Sequence, residues 1–298
     1  MLNMKGFAPE SKLSSSRYKR ESRMRTKQRY QVKSMKTKAN GITMNYQIKG
    51  KGSSLVLVHG AGDNLEMWYN QVPAFSRSYR VITYDVRGSG KTESPEGKYS
   101  VSLLAQDAYQ LMKAIGVQEA YFVGYSMGGR IAAELALNHP ELVKALVLAN
   151  SSPGLTPPPP EALGRLQSKL DLLDKGDMKA FAEAMTREAF SPGFESSYPA
   201  EFKEYMKVKL QNKPDGIARI MRMGQPRSSP DLSKIKCPVL LVVGENDWIM
   251  GLAQGKEAHE AIPGSKLVVL PTGHAAPIES PDEFNVAVVE FLNEVKMR

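Results

Sequence analysis

The chain has 298 residues, 42% hydrophobic and 24% charged, with 24 Gly and 19 Pro. This composition excludes collagen-like, low-complexity and coiled-coil classes over most of the length, and leaves room for one large α/β domain with an insertion or for two ordinary domains. The net charge of +9 is concentrated at the start: residues 1–34 hold ten Lys/Arg against Glu10 and Glu21, a net +8, so the other 264 residues carry only +1.

A nearly neutral body lacks the basic surface that a polyanion partner needs, so nucleic acid is not an expected partner of the folded part. The single cysteine, Cys237, allows no internal disulfide and reads as a small packing residue before Pro238; no Cys/His cluster has zinc-ligand spacing, so no metal is expected. The longest apolar runs, such as Ala145–Ala149 and Val239–Val243, fall far short of the roughly 20 residues that span a bilayer.

In chain order, residues 1–34 show neither a sustained apolar period nor the apolar run of a secretory signal, and read as a basic arm without regular structure. Three readings compete for it: an organellar transit peptide, a basic tail that touches RNA or anionic lipid, or translation that begins at Met35. The last is favoured because Met35–Ala39 already reads as the first strand of a hairpin that turns at Asn40-Gly41. The body is expected in the cytoplasm, with organellar targeting by the arm left open.

Strands are then predicted at Thr43–Lys49, Leu55–His59, Arg80–Tyr84, Ala120–Gly124, Ala145–Ala149, Val239–Val243 and Lys266–Leu270. Helices are predicted between and after them at Val101–Ile115, Met127–Asn138, Gly255–Ala261 and Pro281–Val295. This alternation predicts an α/β class: a mostly parallel, doubly wound sheet covered on both faces.

The rhythm breaks once. From Ser151 to Ser229 only helical stretches appear, at Glu161–Leu173, Met178–Phe190, Ala200–Leu210 and Gly216–Met223, entered through Pro157–Pro160 and left through the segment 225–230. A helical cap over 153–229, inserted into a core of 35–152 and 230–298, is the expected organisation. Its Met178, Phe181, Met185, Phe190, Tyr205, Met206, Met221 and Met223 suggest an adaptable apolar roof, although helical spacing of this kind also fits plain packing.

The chemistry starts at Gly124-Tyr125-Ser126-Met127-Gly128-Gly129, directly after a strand and before a helix. So sharp a turn strains its central residue and needs near-bare neighbours two before and two after, which Gly124 and Gly128 supply; it would lift the Ser126 hydroxyl clear and aim the Met127 amide at an oxyanion. A serine needs a base. Of four histidines, His139 reads as a helix C-terminal dipole partner, His259 as solvent-facing and His59 as a loop holder, which leaves His274 in the loop after the last strand. Asp247, four residues past Val243, is the placed acid; Glu245 sits too near the strand end, and the loop Asn150-Ser151-Ser152-Pro153 offers none.

A second oxyanion donor is predicted at Ala61, in the small-residue loop Gly60-Ala61-Gly62. Asp85 and Arg87 read as a buried pair that ties loops together. Tyr125, Arg130, Trp68 and Trp248 are candidate substrate-binding residues.

Through His59-Gly60, Asp85-x-Arg87-Gly88-x-Gly90, Gly124-x-Ser126-x-Gly128-Gly129, Gly244-x-x-Asp247 and Gly273-His274, the sequence resembles the α/β-hydrolase family over about residues 36–298, least across the cap. The resemblance implies eight mainly parallel strands, a Ser-Asp-His triad of Ser126, Asp247 and His274, no metal or cofactor, and a pocket between core and cap. Related dehalogenases and epoxide hydrolases carry Asp at the elbow where Ser126 stands. The loop after His59 also lacks the proline usual in the oxyanion loop of meta-cleavage hydrolases.

The expected activity is hydrolysis of a small to medium hydrophobic ester or lactone, carboxylesterase-like or enol-lactonase-like, with a small-molecule acyl substrate as partner. Two alternatives stand beside it. Tyr125-Ser126-Met127-Gly128-Gly129-Arg130 is similar to the elbow of the menaquinone-pathway lyase that forms 2-succinyl-6-hydroxy-cyclohexadiene-carboxylate, in which case Arg130 and a cap arginine such as Arg165 would bind carboxylates; the plainer reading of Arg130 is a surface salt bridge. The other alternative is a non-catalytic ligand-binding protein on the same fold.

Overall fold

The computed structural model describes residues 33–151, 160–223 and 230–297, so residues 1–32 of the basic arm and most of the two proline-bearing cap junctions lie outside the described residues. The strands are β1 Met35–Ala39, β2 Ile42–Lys49, β3 Ser54–Val58, β4 Arg80–Tyr84, β5 Ala120–Tyr125, β6 Val143–Ala149, β7 Val239–Gly244 and β8 Lys266–Leu270. They form one eight-stranded sheet in the order β1-β2-β4-β3-β5-β6-β7-β8. β2 runs antiparallel to β1 and β4, and every other pairing is parallel. At the β1–β2 turn Asn40 and Gly41 both adopt positive φ, +48° and +77°, the backbone a two-residue hairpin of this hand requires.

The central strands are apolar on both faces, so alternate side chains enter two cores. Val56 and Val58 join the core covered by α2 (Val101–Ala114), α3 (Met127–Asn138) and α9 (Leu252–Ala261). Leu55 and Leu57 join the other, covered by α1 (Gln71–Phe75) and α11 (Pro281–Met297).

Between β6 and β7 lie α4 Pro160–Asp174, α5 Met178–Ala189, α6 Phe194–Ser197, α7 Pro199–Leu210 and α8 Pro214–Met221, with no strand among the described residues of this stretch. Pro199 and Pro214 open their helices at the first position, where a missing N–H costs nothing. Phe181 packs into the first core and Phe190, Phe202 and Tyr205 into the second, so the insertion is seated on the sheet's own apolar surface. The short α1, α6 and α10 (Ala276–Glu279) escaped the sequence reading because four or five residues carry no measurable helical period.

One structural expectation changes. Asp85 and Arg87 are both buried but do not pair with each other. Arg87 forms a two-pronged bond with Asp107 of α2, Nε and Nη2 each 2.6 Å from a carboxylate oxygen. The Asp85 oxygens are already occupied by the Asn45 amide and the Leu65 and Lys91 N–H groups at 2.7–2.9 Å. A carboxylate with three donors has little left for a guanidinium fork, whereas Asp107 offers both oxygens.

Candidate active site

The parallel registers align the strand ends. Val58 lies opposite Gly124, Tyr125 opposite Ala149, Ala149 opposite Val242, and Gly244 opposite Leu270. The loops that follow β3, β5, β6, β7 and β8 therefore leave from one rim, the carboxyl edge of the sheet, where open α/β sheets place their ligands.

Ser126, between β5 and α3, adopts φ +52° and ψ −118°, a conformation a side-chain-bearing residue occupies only under constraint. Its backbone is tied down: the N–H donates to Ala149 O at 2.9 Å, and the carbonyl accepts from the Gly129 N–H at 3.0 Å and the Ser151 hydroxyl at 2.7 Å. The flanking glycines are required by contact, since a Cβ on Gly124 would stand 2.3 Å from Gly128 O and one on Gly128 only 2.1 Å from Val58 O. Met127 begins α3, so its amide N–H has no partner within the helix.

Ser126, Asp247 and His274 are brought together. His274 Nε2 lies 2.9 Å from Ser126 Oγ and Nδ1 2.9 Å from Asp247 Oδ2. Because the carboxylate can only accept, Nδ1 carries the proton and Nε2 is free to accept from the serine hydroxyl. Asp247 is 5% exposed and accepts four hydrogen bonds: from His274 and Asn150 Nδ2 at Oδ2, and from the Ile249 and Met250 N–H groups at Oδ1. Burial works against its ionisation, but the adjoining His274 imidazole and the other donors outweigh burial and hold its pKa below the usual carboxylate value.

Asn150, in the loop that supplies no acid, is fully buried, and its side chain braces the carboxylate at 3.0 Å and Gly273 O at 3.2 Å. Its amide carries no charge, so a search for acids passed over it. Glu279 of α10 was missed too. It accepts from the Gly273 N–H at 2.9 Å and from the Ser191 N–H and hydroxyl, while the Ala275 N–H donates to Ala189 O at 2.8 Å. The loop of His274 is thus fastened to the end of α5.

On the other side of Ser126, His59 is fully buried and locks the loop it begins: Nδ1 donates to Gly60 O at 2.8 Å and Nε2 accepts from the Val86 N–H at 2.9 Å. Burial lowers its pKa and keeps the ring neutral, as an accepting Nε2 requires. A Cβ on Gly60 would meet the Tyr125 ring at 2.9 Å, and one on Gly62 the Met185 methyl at 3.3 Å and Phe181 at 3.4 Å. The Tyr125 ring lies 5.3 Å from the His274 ring, so it sits at the site. Ala61 is partly exposed in this loop.

The other predicted residues fall differently. Trp68 is fully buried in the second core with Leu55, Phe75 and Tyr121, the position of a packing residue. Trp248, next to Asp247, is 45% exposed, with the Arg165 guanidinium 4.6 Å from its ring centroid. Arg130 forms no salt bridge among the described residues; its Nη2 is buried without a hydrogen-bond partner, and burial lowers its pKa. His139 stacks on Tyr109 at 3.6 Å, and His259 is half-buried against the Ser265 hydroxyl at 2.7 Å rather than solvent-facing. No helix among the described residues is long and apolar enough to cross a membrane.

The sheet, the helical insertion and the strained strand-to-helix turn at Ser126 define a hydrolase-type architecture, and the chain belongs to the alpha/beta hydrolase fold family, whose description matches residues 54–281. Among its relatives is 3-oxoadipate enol-lactonase 2 of Acinetobacter baylyi, 30% identical over 253 residues that cover 84% of this chain and 93% of that protein. The fold is similar to that of the enol-lactonase from Burkholderia xenovorans LB400, with 29% identity and a TM-score of 0.80 over 87% of this chain and 100% of the other. It is also similar to a thermophilic esterase from Thermogutta terrifontis, 25% identical with a TM-score of 0.80 over 89% and 99% of the two chains.

Proposed function

We propose that the chain is a serine hydrolase that cleaves a small to medium hydrophobic ester or lactone through an acyl-enzyme, as a carboxylesterase or an enol-lactonase does. The observation that carries this reading is the line from Ser126 Oγ to His274 Nε2 and from His274 Nδ1 to Asp247, each step 2.9 Å. Ser126 attacks the carbonyl while His274 takes its proton, and Asp247 fixes the imidazole tautomer and stabilises the imidazolium. The amides of Met127 and Ala61 receive the oxyanion, each donor worth about 3–4 kcal/mol in the transition state. His274 then protonates the leaving group, and water repeats the sequence on the acyl-enzyme.

Residues 153–229 act as the cap in this reading. Phe181 and Met185, which reach the loop of Ala61, and the two relatives named as enol-lactonases support an apolar ester or lactone as substrate. The test is Ser126→Ala, expected to lower turnover of a p-nitrophenyl ester by about a million-fold. A fluorophosphonate probe should label only Ser126; folded protein that resists the probe would favour the non-catalytic ligand-binding reading.

One observation favours a second reading, the lyase of the menaquinone pathway. A guanidinium whose Nη2 is buried without a hydrogen-bond partner, and that pairs with no carboxylate among the described residues, stands one helical turn beyond Ser126 as a ready donor to a substrate carboxylate. Under that reading Arg130→Ala abolishes activity on a dicarboxylate intermediate and spares neutral esters; equal effects on both classes exclude it.

A further inference from the structure

Directly behind the loop of Ala61 lies a buried ion pair. Asp63 and Lys209 are each 1% exposed, with Lys209 Nζ 2.5 Å from Asp63 Oδ1. The buried Tyr205 hydroxyl donates to Asp63 Oδ2 at 3.0 Å. The Lys209 ammonium also sits 4.1 Å from the Tyr205 ring centroid.

The same helix, α7, and the residue two past it grip the backbone around Asp63. Asn64 Nδ2 donates to Val208 O at 2.7 Å, and Asn212 Nδ2 donates to Gly62 O at 2.9 Å while its Oδ1 accepts from the Gly90 N–H at 2.7 Å. Every residue from Gly62 to Asn64 is thus held by the insertion.

Stability does not explain the pair. Two desolvated charges recover their hydration only with good geometry, and apolar substitutes of equal volume often serve as well or better. The electrostatics of acyl transfer supply a reason. Asp63 stands two residues beyond Ala61, and in a water-poor interior an uncompensated carboxylate so close would repel the negative charge that develops on the substrate oxygen.

Resting on the acyl-transfer reading above, we propose that Lys209 is a positioning residue of that reaction: it neutralises Asp63 and, through it, keeps the loop of Ala61 and its surroundings fit to receive an oxyanion. The insertion then completes the catalytic machinery as well as roofing it.

The experiment compares wild type, Lys209→Met, Lys209→Gln and the double variant Asp63→Asn/Lys209→Met, which removes both charges yet leaves Tyr205 an acceptor. Three quantities are read: kcat and KM for p-nitrophenyl butyrate, Ki for a trifluoromethyl ketone that forms the oxyanion, and thermal melting. The single variants should lose about tenfold or more in kcat with KM within about twofold, and ketone affinity should fall in step. The double variant should recover most of both.

Folded single variants with unchanged kcat and Ki overturn the proposal, and so does a folded double variant as impaired as the singles, since with both charges gone no uncompensated carboxylate is left behind the loop. Should neither single variant fold, a folded double variant with more than tenfold loss in kcat overturns it by itself, and near-wild-type kcat and Ki support it. These outcomes leave the acyl-transfer reading standing; a wild type that neither hydrolyses the ester nor takes the fluorophosphonate at Ser126 overturns both.

Discussion

Gly128→Ala puts one methyl group where the structure has no room. The new carbon would lie 2.1 Å from Val58 O, 2.6 Å from Val58 C and 2.7 Å from His59 O, all backbone of the end of β3 and the loop that follows. No rotamer change relieves a clash with backbone, so the first turn of α3 must move by about 1 Å to restore van der Waals contact. Overpacking of this kind costs about 1–3 kcal/mol.

The same movement carries Ser126 away from His274 Nε2, now 2.9 Å from its hydroxyl, and a displacement of about 1 Å at a reacting group can cost about a hundredfold in rate. Gly164→Ala is the control: this glycine lies inside α4 with nothing within 4 Å of an added Cβ, so the identical change should stabilise by about 0.5–1 kcal/mol through helix propensity. Urea unfolding and p-nitrophenyl ester turnover, measured on both variants, give the two numbers. Wild-type stability and kcat in Gly128→Ala would refute the argument that backbone proximity imposes glycine at the elbow.

Asp247→Asn should lower kcat by about ten-thousandfold with little change in KM, because the amide can donate to His274 Nδ1 and favour the wrong tautomer; kinetics on one ester decide it. The Asp247 carboxyl titrates below its ordinary value of about 3.9 in the folded protein, so folding releases protons from it; its contribution is complete above that value and fades as pH falls through the folded pKa. The stability gap between wild type and Asp247→Asn, read by urea unfolding at pH 7 and pH 3, should therefore narrow in acid.

Asp107→Ala leaves the Arg87 guanidinium buried and unpaired and should destabilise by about 3–5 kcal/mol, whereas loss of the exposed Lys144–Glu119 pair should cost under about 1 kcal/mol. The Cys237 thiol, half-buried and pushed up to about 11, should react with an aromatic disulfide reagent at neutral pH only after unfolding.

Local requirements made much of this protein legible without coordinates. Short apolar runs between helical patterns specify the parallel sheet, Asn40-Gly41 specifies a hairpin turn, and glycines two before and two after Ser126 specify a strained strand-to-helix elbow, because each lies within a few residues and has few conformational solutions. The places of His274 and Asp247 followed from knowing that parallel strands discharge their loops at one rim.

Other features were settled by packing alone. Asn150 reaches Asp247 across 97 residues and Lys209 reaches Asp63 across 146, and a sequence holds no period or spacing that links such pairs. Trp68 shows the same limit from the other side: an aromatic side chain reads alike whether it lines a pocket or fills a core, and only the second layer of helices decided that it does the latter. Sequence determines what each segment can become; which buried charge meets which partner is fixed when the layers close, because desolvation is priced only then.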